Sequence, residues 1–421
     1  MQIRARFVPL FLAVLFLSAA AVHAGDGVQP TWTKKGGHWV ATLTYETDLG
    51  PGSKLVVKRF NGDMSFTGSE KGNAVVTITF FSRERDREEA EQDFEASRPD
   101  VDLGSGEMTV VGVKRTLWRW SKEQNYELNA ALPARFNIDA GTTGGEVLVE
   151  GISGEVSLAT SGGDMIARTM KGEISLATSG GELKLEDLEG EISAATSGGD
   201  INCDGGKGNF SLVTSGGGVH LSGLEGDISA ATSGGDIDAN DLTGGSIELS
   251  TSGGELDISL VKVTESGEFT TSGGDVLLSR TEGTITASTS GGMIRTKGHS
   301  GDLTLTTSAG DIRVRDHTGS LEAGTGAGNI EASILASSGN NGKIDLSTGI
   351  GDITIQLPAD FSAYLEAMVR NGFDDGAIES DFPLNIKKSK SGTVRASGEV
   401  NGGGVPVQLE TGMGEIAIRK R

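Results

Sequence analysis

The stretch Thr178-Ser179-Gly180-Gly181-Glu182-Leu183 is one copy of a motif that recurs from residue 142 to residue 352. Most successive copies are 18 residues apart. A fixed short period is typical of a solenoid, in which each repeat forms one coil. The Thr-Ser-Gly-Gly copies begin at Thr160, Thr178, Thr196, Thr214, Thr232, Thr251, Thr271 and Thr289, and looser copies begin at Thr142, Thr307, Thr325 and Thr348.

Within one repeat, apolar residues alternate with polar ones. In the repeat that begins at Thr178 the apolar positions are Leu183, Leu185, Leu188, Ile192 and Ala194. A spacing of two is the period of a β-strand, and the paired glycines between the strands indicate sharp corners. A single coil cannot bury its own apolar edge, so neighbouring coils must stack, with strands roughly 4.8 Å apart.

The sequence therefore predicts an all-β fold, a single-chain parallel β-helix of about 18 residues per coil with three faces. By analogy with other parallel β connections, we expect the helix to be right-handed. The alternative is a calcium-binding β-roll, whose two nine-residue turns also total about 18 residues. That motif needs Gly-Gly-x-Gly-x-Asp in every half turn. Gly-Gly occurs only once per repeat here, so the β-helix is favoured.

Four segments follow from changes in composition. Residues 1–24 are typical of a signal peptide, with Arg4 and Arg6 before an apolar run and a small-residue cleavage site. Residues 25–140 are expected to form an N-terminal β-rich cap with one short helix that begins at Asp86. Residues 141–357 form the predicted solenoid, and residues 358–421 the C-terminal β cap. Strands within the N-terminal cap are predicted at Trp39–Thr47, Lys54–Phe60, Asn73–Phe81, Met108–Lys114 and Tyr126–Leu132.

The charge of the chain limits its partners. Because residues 1–24 carry two arginines and no acid, the remainder has 34 basic and 58 acidic residues, a formal charge of −24. Such a charge argues against nucleic acid and against anionic membranes as partners. It is compatible with cation binding or simply with solubility. Cys203 is the only cysteine and shares the parity of inward residues, so we expect a buried apolar side chain rather than a reactive thiol.

Acidic residues recur at the fifth position of the coil. Stacking would place them roughly 5 Å apart, and Ca²⁺ binds carboxylate and carbonyl oxygens at such corners. The sequence thus gives a calcium hypothesis for one column, and calcium is the one cofactor that we consider. The alternative is that each carboxylate accepts local backbone N–H bonds at its corner and otherwise faces water. The column contains Asp164, Glu182, Asp200, Asp236, Glu255 and Asp275.

Two further groups could bind ligands. His299 and His317 occupy the eleventh position of consecutive coils, so they should stack and could hold a transition metal. No third ligand is evident, and a packed pair is the alternative. Arg295, Lys297, Arg313 and Arg315 form a basic island at outward positions. This island could bind an acidic polysaccharide or a phosphate group, or it could only balance nearby carboxylates.

Catalysis is not indicated by the sequence. The solenoid has almost no aromatic residues, its coils are nearly uniform in length, and no Ser/His/Asp set, Cys/His pair or metal-hydrolase motif stands out. A threonine column also suggests the surface of an ice-binding protein. Here, however, each threonine begins a glycine corner and does not belong to a flat Thr-x-Thr face.

The segments Tyr126-Glu127-Leu128 and Gly351-Asp352-Ile353-Thr354-Ile355 resemble the bacterial "putative adhesin" family of β-strand-repeat cell-envelope proteins, a domain of unknown function. Ile138-Asp139-Ala140 and Gly144-Gly145-Glu146-Val147 carry the same resemblance. The likeness covers most of the chain after residue 24. It implies a β-helical fold and a cell-envelope setting, and it supplies no catalytic residues.

We therefore expect a non-enzymatic, exported, adhesin-like structural or interaction protein, located in the periplasm, at the cell surface or outside the cell. It would present a repetitive surface to an envelope or extracellular protein or glycan. The first alternative is a ligand-binding module for calcium or an anionic glycan. The second is an enzyme that acts on polysaccharides, because β-helices host many unrelated functions. The sequence does not indicate an oligomeric state.

Overall fold

A computed structural model describes residues 27–70, 72–112, 125–335, 342–372, 376–390 and 392–421. The predicted signal peptide, and with it residues 1–26, lies outside this range. So does the end of the strand predicted at Met108–Lys114.

The described part of the chain contains 33 strands and one helix, α1 (Arg87–Glu95). The eight strands before residue 134 are β1 (Thr31–Lys35), β2 (His38–Glu46), β3 (Lys54–Phe60), β4 (Gly62–Ser69), β5 (Val75–Phe81), β6 (Asp100–Leu103), β7 (Glu107–Val111) and β8 (Asn125–Pro133).

The repeat region contributes 19 strands. They are β9 (Asn137–Thr142), β10 (Val147–Glu150), β11 (Ser153–Ala159), β12 (Met165–Ala177), β13 (Leu183–Ala195), β14 (Ile201–Val213), β15 (Val219–Glu225), β16 (Ile228–Ala231), β17 (Ile237–Ser250), β18 (Leu256–Thr270), β19 (Val276–Ser279), β20 (Ile285–Thr289), β21 (Ile294–Lys297), β22 (Leu303–Thr307), β23 (Ile312–His317), β24 (Leu321–Ala327), β25 (Ile330–Ile334), β26 (Ile344–Ile350) and β27 (Ile353–Leu357).

The six strands at the C-terminal end are β28 (Ala363–Val369), β29 (Ile378–Ser380), β30 (Asn385–Lys388), β31 (Val394–Val400), β32 (Val405–Met413) and β33 (Ile416–Lys420). All 33 strands belong to one hydrogen-bonded sheet. The fold is therefore all-β and solenoid-like, as the sequence predicts.

Successive coils pair in parallel with the offset of the sequence period. Strand β12 pairs with β13 so that Ile174 lies beside Ile192, and β13 pairs with β14 so that Leu185 lies beside Cys203. Every second residue of these strands is buried. The inward residues form columns of like side chains along the stack, because a parallel in-register pairing keeps the inside and outside faces fixed. Cys203 is buried in such a column, as predicted.

The segment before residue 140 also contributes to the stack. Strands β3 and β4 pair in parallel with β9 and β10 of the repeat region, so residues 54–69 form a coil of their own. Beyond them the pairing turns antiparallel, from β8 to β5 to β2 to β1. Helix α1 begins as predicted, since the Asp86 carboxylate accepts from the backbone N–H groups of Glu88 and Glu89.

The C-terminal strands do not stack in chain order. Strands β32 and β33 pair in parallel with β26 and β27, while β28 and β29 pair with the opposite edges of β32 and β33. The last segment of the chain, residues 405–420, is therefore inserted between the coil of residues 344–357 and that of residues 363–380. Antiparallel strands β31 and β30 complete this end.

Candidate functional site

The threonine that begins each repeat is an internal structural element. Thr178 is buried, its hydroxyl donates to the Gly163 carbonyl of the preceding coil at 3.0 Å, and it accepts from the Gly181 N–H at 3.2 Å. The same donor bond, 2.7–3.0 Å long, recurs at all thirteen corners from Thr142 to Thr411. The threonine column thus links coils from within, and it offers no exposed face of the ice-binding kind.

The two glycines of the motif have different roles. A Cβ on Gly181 would lie 1.9 Å from the Gly163 carbonyl oxygen, whereas a Cβ on Gly180 would have its nearest neighbour at 4.0 Å. Only the second glycine is required by the close approach of neighbouring coils. The first position is free to vary, and Ile350 and Met413 occupy it near the C-terminal end, where both are exposed.

The aspartates of the acidic column are hydrogen-bonded between coils. Oδ1 of Asp164, Asp200 and Asp236 accepts from the backbone N–H of the fifth residue in the next coil, each time at 2.8 Å. Asp275 does the same for Met293. We expected carboxylates to accept N–H bonds within their own corner; the donors instead belong to the next coil, because the parallel stack leaves that N–H facing the aspartate.

The same column concentrates negative charge. Burial raises the pKa of Glu255, and the neighbouring carboxylates of Asp275 and Asp257 raise it further. Within the described residues, no group of three or more His, Cys, Asp or Glu side chains is arranged to hold a metal ion. Since the Oδ1 atoms of the aspartates are already occupied by backbone donors, a cation would have to bind the outer oxygens. Calcium binding by this column remains a prediction.

The two histidines stack as the sequence predicts. The imidazole rings of His299 and His317 lie 5.4 Å apart between centroids and are inclined by only 3°. Both are almost fully buried, and His299 Nδ1 is 2.8 Å from the Thr281 hydroxyl while His317 Nε2 is 3.0 Å from the Ser320 carbonyl oxygen. Burial lowers the pKa of His299 to about 4, helped by His317, and also lowers the pKa of His317. Other coils place Met170, Leu188, Leu224 and Leu242 at this position, so the pair fills a core site and is neutral at pH 7.

The basic island lies on the outer face of strands β21 and β23. Arg295 is the register partner of Arg313, and Lys297 that of Arg315. Arg313 is 3.5 Å from Asp311 and 3.8 Å from Glu331, and Arg295 is 3.8 Å from Asp275. Lys297 and Arg315 are exposed and have no ion-pair partner among the residues that the structure describes. Four cations are thus brought together, two of them uncompensated, which an anion could contact.

A polar hollow of about 430 Å³ lies on the same outer face, in the coils that precede the island. Its outward lining includes Asp204, His220, Asp238, Asn240 and Asp257. His220 Nδ1 is 2.8 Å from Asp238 Oδ2. The sequence analysis did not identify this hollow. Listing the second outward residue of every coil as one column would have revealed the concentration of aspartate.

No helix in the described ranges is long and apolar enough to cross a bilayer. No curated protein matches the chain. Three solved structures are similar at low identity. A "putative cell adhesion protein" from Clostridium sporogenes shares 10% identity, with 90% of this chain and 100% of that chain covered and a TM-score of 0.18. A "putative lipid binding protein" from Parabacteroides distasonis shares 13%, with 72% and 96% covered and a TM-score of 0.22. A "putative adhesin" from Bacteroides fragilis shares 14%, with 78% and 100% covered and a TM-score of 0.19.

The resemblance read from the sequence is confirmed at the level of the family. The Toastrack DUF4097 family matches the chain twice, over residues 40–292 and over residues 208–419. The two matches overlap and together span both the repeats and the C-terminal strands. The chain therefore belongs to the Toastrack DUF4097 family.

Proposed function

We propose that this chain is an exported, non-enzymatic, adhesin-like protein that presents a repetitive surface to partners in the cell envelope or outside the cell. One observation carries the proposal: the coils stack in parallel register from β12 to β18 with regular outward columns. Such a surface repeats the same chemistry about every 4.8 Å, which suits a polymeric or multivalent partner.

The finer architecture belongs to this proposal. The stack is a single-chain, right-handed parallel β-helix with three faces. Its segments are a signal peptide (1–24), an N-terminal cap (25–140), a solenoid (141–357) and a C-terminal cap (358–421). The proposed location is the periplasm, the cell surface or the medium. The family resemblance supports this setting, and so does the apolar run with a basic start in the first 24 residues.

The direct test is crosslinking of the mature protein in intact cells, followed by identification of the attached envelope components. The chain carries few lysines in its repeats, so crosslinkers at single engineered cysteines are preferable, with Cys203 left in place because it is buried. One cysteine on an outward column should capture the partner, and a matched cysteine at the inward-facing Ala194 should not. Absence of any captured component, together with unchanged adhesion after gene deletion, would contradict the proposal.

The second candidate function is binding of calcium or of an anionic glycan. It is favoured by the outer oxygens of the aspartate column and by the uncompensated Lys297 and Arg315. A ligand that binds only the folded state raises the midpoint of thermal unfolding by mass action. We expect Ca²⁺ to raise the midpoint and a chelator to reverse the rise; an unchanged midpoint would remove the calcium hypothesis.

The matched control for calcium is Asp236→Asn combined with Asp275→Asn. Asparagine keeps the Oδ1 acceptor and removes the charge. The chain already uses this substitution, since Asn329 Oδ1 accepts from the Asp352 N–H at 2.8 Å. This variant should fold normally and lose any effect of Ca²⁺. A polysaccharide-acting enzyme remains the third proposal, and turnover of a glycan would be its evidence.

A further inference from the structure

One outward face of the solenoid carries two columns of side chains with opposite charge at their two ends. The first column, in order of stacked coils, is Asp238, Asp257, Leu277, Arg295 and Arg313. The second column, two residues further along each strand, is Asn240, Ser259, Ser279, Lys297 and Arg315. We call these ten positions the dipolar face.

The acidic end of the dipolar face is concave. Its side chains are short, and they line the hollow of about 430 Å³. Asp238 has 56% of its side chain exposed. Asp257 is exposed and has no ion-pair partner in the described ranges. This end thus offers room as well as uncompensated negative charge.

The basic end is built from long side chains. Arg295 and Arg313 keep 43% and 42% of their side chains exposed, and their nearest carboxylates are 3.5–3.8 Å away. Asp275 and Asp311 are themselves fixed, because each also accepts a backbone N–H of the next coil through Oδ1. Lys297 and Arg315 are free to reach a partner. Four long cationic side chains therefore project from this end.

The pattern is symmetric about Leu277. Counting outward from that half-buried residue, the first column reads Asp257 and Asp238 in one direction and Arg295 and Arg313 in the other. A two-fold axis that lies in the face, parallel to the strands, reverses the order of coils and keeps each column on itself. It would place Leu277 against its copy and every aspartate of the first column against an arginine.

We propose that this chain forms an antiparallel homodimer through the dipolar face, with its two-fold axis at Leu277. A two-fold interface must be self-complementary, and here both charge and shape are complementary: the long cationic side chains of one copy enter the acidic hollow of the other. Asp257 faces Arg295 and Asp238 faces Arg313. One coil further out, His220 comes opposite Glu331. This inference goes beyond the proposed function and does not depend on it.

The size of the face sets the expected strength. The ten positions span five coils, roughly 20 Å between the outer strands, which is smaller than the ~800 Å² per partner of a standard interface. The attraction is mainly between exposed charges, which salt screens. The dimer should therefore be weak and should dissociate as the ionic strength rises.

The test is sedimentation of the mature chain at protein concentrations up to about 100 µM, in about 50 mM and in about 500 mM salt. We expect a dimer at low salt and a monomer at high salt. Two charge-reversed variants should each be monomeric at low salt: Asp238→Arg with Asp257→Arg, and Arg295→Glu with Arg313→Glu. Mixed together, the two variants should form a heterodimer, because one face is then wholly basic and the other wholly acidic.

The control reverses two exposed cations elsewhere, Lys171→Glu with Lys207→Glu, and should leave the dimer intact. Circular dichroism of each variant establishes that it is folded before it is sedimented. A wild-type chain that stays monomeric at low salt would overturn the proposal. So would folded charge-reversed variants that dimerise like the wild type, or that fail to associate with each other when mixed.

Discussion

Substitution of the second glycine of a motif should open the stack at that coil. In Gly181→Ala the new Cβ would lie 1.9 Å from the Gly163 carbonyl oxygen, and real Cβ contacts below 3.0 Å are essentially absent from proteins. The two coils must therefore move apart locally by more than 1 Å to pass from 1.9 Å to beyond 3.0 Å. The oxygen that is displaced is the acceptor of the Thr178 hydroxyl.

The cost follows from the bonds that cross this junction. They are Thr178 Oγ1 to the Gly163 oxygen at 3.0 Å, Glu182 N–H to Asp164 Oδ1 at 2.8 Å, and Met165 N–H to the Glu182 oxygen at 2.9 Å. Each hydrogen bond contributes about 1 kcal/mol. Loss or distortion of all three lowers the free energy of unfolding by about 3 kcal/mol.

The matched control is Gly180→Ala, one residue earlier. Its Cβ meets nothing closer than 4.0 Å, so the change in the free energy of unfolding should stay within about 0.5 kcal/mol. Guanidinium unfolding followed by circular dichroism measures both variants. Because cooperativity can break down in long repeat arrays, hydrogen exchange of the β12 and β13 amides should locate the weakened junction. Equal midpoints for Gly181→Ala and Gly180→Ala would refute the reasoning.

Three further predictions concern single columns. Between pH 6.5 and pH 5 the unfolded His299 gains a proton while the folded one, with a pKa of about 4, does not; stability should therefore fall by about 2 kcal/mol as the pH is lowered. Leucine at both His299 and His317 should remove that part of the pH dependence, as measured by unfolding at each pH; an unchanged slope would contradict the assignment. Thr178→Val should destabilise by about 2 kcal/mol through its two lost hydrogen bonds, and Thr178→Ser, which keeps the hydroxyl, should recover most of this in the same denaturation assay. Leu260 adopts φ 56° and is 43% exposed, so Leu260→Gly should raise the thermal midpoint by relieving about 1 kcal/mol of backbone strain; a lower midpoint would argue against strain there.

Part of the candidate site could be predicted because it depends on a regular offset. His299 and His317 are separated by one full coil, and so are Arg295 and Arg313. Parallel in-register pairing places residues one coil apart side by side, so the stacking of both pairs followed from counting. The hydrogen bonds of the aspartate column did not, since the expected donors were within one corner and the actual ones belong to the next coil.

The dipolar face shows where counting fails. Asp238 and Asp257 are 19 residues apart, and Asp257 and Leu277 are 20 apart. Their pairing depends on where the extra residues are accommodated. The structure places a register shift between Gly244 and Ser246, on the far side of the coil, so the outward columns stay aligned through all five coils. Only the packed stack decides which corner absorbs an insertion.

The sequence by itself determined the all-β fold, the coil period, the inward and outward positions and the buried state of Cys203, because these follow from short-range periodicity and the need to stack. The tertiary structure alone decided that residues 405–420 lie between two coils that precede them in the chain, and that residues 54–69 join the stack. Pairings of this kind depend on which distant strands bury the most apolar surface against each other. That comparison among long-range contacts is not encoded in any local pattern.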